Sequence, residues 1–151
     1  MTTSVNIAAP ADSAAASVNR RNVALVNATG LVGRSLLALL FLLSGLGKLG
    51  AYSATAAYMS SQGVPSALLP AVIATELLGA IAIILGWKTR IVAFLLAGFS
   101  LLTALTFHNN LADQIQMIMF FKNISIAGGF LLLVANGAGP LSLDGRSSRP
   151  H

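Results

Sequence analysis

The chain has 151 residues, 56% of them hydrophobic and only 9% charged, where an ordinary soluble domain carries roughly 25% charged residues. That balance excludes a water-solvated globular domain, and the complete lack of cysteine excludes disulfides, thiol redox chemistry, Cys-ligated zinc and iron–sulfur clusters within this polypeptide. The formal charge of +5 is scattered at the ends of apolar segments and forms no basic patch, so it reads as a set of topology signals and not as a nucleic-acid footprint.

Residues 1–30 are rich in Ala, Ser and Asn, show no apolar period and carry Pro10 and Asp12. They are expected to form a disordered or loosely helical cytoplasmic tail. Arg20 and Arg21 ahead of an apolar segment, with Ala54, Thr55 and Ala56 beyond it, also fit a twin-Arg export signal. Basic residues before a first spanning helix explain the pair more simply, by holding that end in the cytoplasm.

A helix needs about 20 mostly apolar residues to cross the hydrocarbon. Four segments meet that length. The first runs from Leu31 to Leu49, with Arg34 and Lys48 near its ends, where both are expected to snorkel toward headgroups. The second, Ser66 to Trp87, contains the single charge Glu76 and ends at an aromatic followed by Lys88 and Arg90. The third, Ile91 to Phe107, has no charge; the fourth, Ile115 to Ala135, holds Lys122 and stops at the breakers Asn136, Gly137, Gly139 and Pro140. The expected fold is therefore all-α, an integral membrane bundle of four transmembrane helices. Its expected organisation is a tail over 1–30, a four-helix domain over 31–144 and a cytoplasmic tail over 145–151.

Arg20, Arg21, Arg34, Lys88, Arg90, Arg146 and Arg149 fall on one side of these spans, whereas the first connection, Ala51 to Pro65, has no charge and the third, His108 to Gln114, only Asp113. The positive-inside rule places both termini in the cytoplasm. In the first connection Tyr52, Thr55, Ala56 and Met59 recur at helical spacing before Gly63, Val64 and Pro65, which predicts a short interfacial helix. Small residues within the spans, such as Gly45, Gly47, Gly79, Ala80, Gly128 and Gly129, suit close helix packing. The run Gly45 to Lys48 is no phosphate loop, because Leu42 stands where its first glycine belongs and Leu49 replaces the Ser or Thr.

Chemistry in such a bundle lies with the polar residues at membrane depth. Lys48, Glu76, His108, Lys122 and Asn123 all fall in the outer half of the spans. A charge facing lipid is costly, so Glu76 and Lys122 are expected to turn inward and pair. Each residue also has a plain structural reading: a register-fixing pair, a snorkelling Lys48, a polar helix end at His108 to Asn110. Two lysines against one glutamate leave an excess of positive charge suited to an anionic ligand. With one histidine at membrane depth and no carboxylate–histidine cluster, neither a bis-histidine haem nor a metal site is expected.

From Leu37 to Asp144 the chain resembles the DoxX family of small bacterial inner-membrane proteins. The resemblance is carried by Ser44-Gly45-Leu46-Gly47-Lys48, Tyr58-Met59 with Gly63-Val64-Pro65, Glu76-Leu77-Leu78-Gly79, Phe107-His108-Asn109, Phe120-Phe121-Lys122-Asn123 with Ala127-Gly128-Gly129, and Leu141-Ser142-Leu143-Asp144. It implies four membrane helices and an association with quinone-linked thiosulfate oxidation, methylamine utilisation or oxidative-stress systems. Its biochemical roles are heterogeneous. The leading functional expectation is a quinone-interacting membrane subunit of a redox or oxidative-stress complex, partnered by the bilayer, an enzyme subunit or a second copy of the chain. Two alternatives stand beside it: a permeation protein for protons or a small anion, and a non-catalytic assembly subunit.

Overall fold

The computed structural model describes residues 10–147, and over them the chain is a helical bundle. Helix α1 spans Pro10–Gly50, α2 Tyr52–Ser61, α3 Leu69–Leu85, α4 Thr89–Phe107, α5 Gln114–Asn136 and α6 Leu143–Ser147, with a 3-10 turn over Ser66–Leu68 leading into α3. Four stretches are long and apolar enough to cross a membrane: Ala16–Gly50, Ser66–Leu85, Thr89–Phe107 and Gln114–Asn136. The even number returns the chain to the side on which it started, so both ends of the described segment lie at one end of the bundle and α2 at the other.

Local chemistry sets where these helices start and stop. Pro70 occupies the first turn of α3, where its missing N–H costs nothing, and Gly86 ends that helix in the left-handed region at φ 69°. Asp113 caps α5 by accepting the amide of Gln116 at 2.9 Å. The short α2 expected from the Tyr52 to Met59 spacing is present; it closes through a turn in which the Val64 amide donates to the Met59 carbonyl at 2.9 Å. Met59 is buried with Leu69 and Ile73, which seats α2 over the start of α3.

Ahead of Leu31, where a disordered or loosely helical tail is expected, the described residues are helical. Residues 10–30 continue α1 without a break, although most of the side chains described there are exposed. Between Pro10 and Gly30 there is no further proline or glycine and alanine recurs, so extending an existing helix costs little. Residues 1–9 of that expected tail, and 148–151 at the other end, lie outside the described residues.

Helix α1 packs chiefly on α3, and α4 on α5, while α3 meets α4 and α1 meets α5 only sparsely. One apolar cluster fills the half of the bundle nearer the chain ends, with Ala38, Phe41, Ala80, Ile83, Leu96 and Phe130 at its centre. Phe41 stands edge-on to Phe130 with ring centres 5.3 Å apart. Small residues decide how closely the helices approach. A Cβ on Gly45 would lie 2.7 Å from Leu77 and 3.3 Å from Cβ of Glu76, so glycine there lets α1 press directly on the turn of α3 that carries Glu76.

Candidate functional site

A cavity of about 500 Å³ occupies the α2 end of the bundle. It draws wall residues from every long helix: Leu40, Phe41, Ser44 and Lys48 of α1, Val72 and Glu76 of α3, Phe99, Ser100, Thr103 and Thr106 of α4, Lys122 and Asn123 of α5. Thr55, Tyr58 and Met59 of α2 complete it. Tyr58 stacks on Phe107 with ring centres 5.8 Å apart, tying α2 to the end of α4. All of Lys48, Glu76, His108, Lys122 and Asn123, which the sequence singles out, border this one space.

Their pairing differs from the expected one. Glu76, with 5% of its side chain exposed, meets Lys48 and not Lys122: Lys48 Nζ donates to Oε1 at 2.8 Å and to Oε2 at 2.9 Å. Ser44, one turn before Lys48 on the same face of α1, accepts from Nζ at 2.6 Å and donates to Glu76 Oε1 at 3.1 Å. The close approach at Gly45 brings α1 beside Glu76, whereas α5 packs on α4. Lys48 therefore points into the bundle and does not snorkel, and its side chain is 25% exposed. A buried carboxylate without a partner would be costly; this geometry gives it an ammonium and a hydroxyl.

The remaining members are held by their own neighbourhoods. His108 Nδ1 lies 2.8 Å from Oε1 of Gln116. With that oxygen as acceptor, Nδ1 is the donor. Asn123 donates its amide to the Met119 carbonyl at 2.9 Å, and Lys122 Nζ reaches the Met119 thioether at 2.9 Å. Ser44 and Gln116 were not among the sequence candidates. Ser44 carries one usable signal, its four-residue spacing from Lys48, which puts both on one helical face.

A second polar cluster sits at the opposite end. Arg34 is 2% exposed. Its guanidinium donates to the carbonyls of Ala138, Leu141 and Ile84, tying together the connection after α5 and the last turn of α3. The expected snorkelling of Arg34 toward headgroups is thereby corrected: bare carbonyls at a helix end and in a tight turn offer a planar five-donor group better partners than lipid does. Asp144 accepts the amides of Lys88 and Thr89, each at 2.8 Å, and so caps the start of α4 from 55 residues away. Its own amide donates to the Gly86 carbonyl at 2.9 Å. Burial raises the Asp144 carboxyl, but hydrogen bonds from the Thr89 and Lys88 amides, with the charge of Arg34, outweigh it and hold the group below the ordinary carboxylate range. Gly86 cannot carry a side chain here, since its φ is 69° and a Cβ would collide with Ser142.

Among the described residues no three of His, Cys, Asp and Glu gather into a metal-holding group. The α2-end cavity can instead take a small organic molecule: apolar walls for a ring, hydrogen-bonding groups at separate places on the wall.

The family model described as DoxX matches residues 29–109. The chain is 47% identical over 114 residues to inner membrane protein YqjF of Escherichia coli (strain K12), covering 76% of this chain and 88% of the relative. It is 41% identical over 123 residues to inner membrane protein YphA of the same organism, covering 77% of this chain and 88% of that relative. No solved structure matches it.

Proposed function

The chain belongs to the DoxX family as a multi-pass inner-membrane protein, and from that premise we propose that its α2-end cavity binds a quinone-type ligand, the chain serving as the membrane subunit of a redox or oxidative-stress system. Both termini lie in the cytoplasm in this reading, which puts the cavity in the outer half of the membrane. The observation that carries it is the distribution of polarity around the cavity. One polar cluster is the network of Lys48, Ser44 and Glu76. The other polar groups at the wall are His108, which meets Gln116, and Lys122 beside Asn123. The rest of the wall is mainly apolar, with Leu40, Phe41, Val72, Phe99 and Phe107. A flat apolar ring bearing oxygens suits such a wall. Lys48 or Ser44 would donate to one carbonyl, and His108 or Lys122 would hold the other and exchange its proton. Electrons would come from and go to a partner subunit in this reading.

The packing of the inner half disfavours permeation. A polar path would have to continue from the cavity through the cluster of Phe41, Ile83, Leu96 and Phe130, all 6% exposed or less and mutually packed.

The reading is tested by purifying the full chain in mild detergent and analysing the organic extract by mass spectrometry. Quinone should accompany the native chain at a near-stoichiometric level and fall at least about tenfold in the triple variant Ser44→Ala, Lys48→Met, Glu76→Gln, which removes the charges and the hydroxyl of that network without leaving either member of the ion pair unpartnered. Undiminished quinone in that variant, or none in the native chain, contradicts it.

A further inference from the structure

Lys122 has no counter-charge among the described residues. Glu76 is the one carboxylate bordering the cavity, and it is engaged by Lys48 and Ser44. The hydrogen bond of Lys122 runs to the thioether of Met119, at 2.9 Å, and a thioether is a weak and uncharged acceptor. Two lysines against one glutamate leave the cavity with one positive charge, and the geometry assigns that charge to α5. Lys122 stands eight residues after Gln114, the first residue of α5, or about 12 Å down the helix at 1.5 Å per residue. Lys122 is exposed where it borders the cavity, and at that depth an ammonium without a partner is costly.

We propose that the missing partner is the ligand in ionised form: the cavity takes a flat apolar ring bearing an acidic hydroxyl as its monoanion, with Lys122 as counter-ion. This rests on the quinone-type reading above and narrows it to hydroxylated rings that are anionic at neutral pH. Delocalised oxyanions are the matching class. Their charge is spread over a ring that the apolar wall accommodates, and one oxygen of lowered proton affinity faces the ammonium. A compact inorganic anion would forfeit the apolar wall, and a neutral quinone would leave Lys122 uncompensated. No bond is made or broken on binding; the ligand enters already ionised.

The test uses the detergent-purified full chain and two probes of nearly equal shape, 2-hydroxy-1,4-naphthoquinone, which is anionic at neutral pH, and its 2-methoxy ether, which cannot ionise. Equilibrium dialysis should show the hydroxy probe bound about tenfold or more tighter than the ether. That preference should vanish in Lys122→Met, survive in Lys122→Arg, and fade in the native chain as pH falls below the probe's own pKa. Equal binding of both probes by the native chain, or a preference that persists in Lys122→Met, overturns the counter-ion assignment while leaving a quinone-type site standing; a lipid phosphate would then be the partner of Lys122. Failure of both probes to bind overturns the quinone-type reading and this inference with it. If Lys122→Met does not accumulate, the hydroxy-to-methoxy ratio in the native chain and its pH profile decide alone.

Discussion

The two ends of the bundle both bury charge, and they spend it differently. At the end bearing the chain termini, Arg34 donates to three backbone carbonyls and Asp144 accepts two backbone amides. Each charge there is consumed in holding main chain, and Gly86 is packed so closely on Ser142 that no side chain fits. At the α2 end, charged groups meet other side chains, Lys48 with Ser44 and Glu76, around about 500 Å³ of open space, and one ammonium is left facing a thioether. Charge spent on backbone closes a fold. Charge that meets only movable side chains beside a cavity is available to a ligand.

That contrast is broken most severely at Arg34. In Arg34→Met three carbonyls, that of Ala138 buried, lose their donor and the last turn of α3 comes away from the connection after α5. The expected loss is about 3 kcal/mol or more, read as a fall in unfolding temperature in mild detergent, with cavity binding lost in proportion to the folded fraction. A stable Arg34→Met chain with impaired ligand binding alone would reverse the roles assigned to the two ends.

A smaller effect is expected at Asp144, and it carries a pH signature. Because its folded carboxyl lies below the ordinary range, the group stabilises the fold above the unfolded value of about 3.9. That stability is lost as pH falls from there through the folded value. Asp144→Asn should cost about 1 kcal/mol near neutrality, the worth of a helix cap, and should flatten the acid limb of a stability curve recorded between pH 6 and pH 3. An unchanged acid limb would mean that the carboxylate does not cap α4 in solution.

The four spans were legible in the sequence because length and hydropathy alone decide them, and the short α2 because its turn residues follow a helical spacing. So was the membership of the cavity, since depth along each span can be counted from its ends and Lys48, Glu76, His108, Lys122 and Asn123 share a level. What counting cannot supply is which helix stands beside which. Depth alone made Glu76 and Lys122 a pair; the contact of α1 with α3 at Gly45 makes it Glu76 and Lys48. The same gap hid Arg34, whose place near a span end suits snorkelling and inward latching equally well, and Asp144, whose amide partners lie 55 and 56 residues away. The early part of α1 was left open between disorder and loose helix for a different reason: a polar, alanine-rich stretch without apolar period gives no packing signal, yet it propagates readily from a helix already formed.

The most direct measurement is a pair of double-mutant cycles on unfolding in mild detergent, Glu76→Gln combined with Lys48→Met and Glu76→Gln combined with Lys122→Met. The first cycle should show a coupling of about 1–3 kcal/mol, because removing either partner strands the other, while the second should be additive within about 0.5 kcal/mol. Coupling of Glu76 to Lys122 with additivity toward Lys48 would contradict both the pairing and the free positive charge on which the ligand assignment stands.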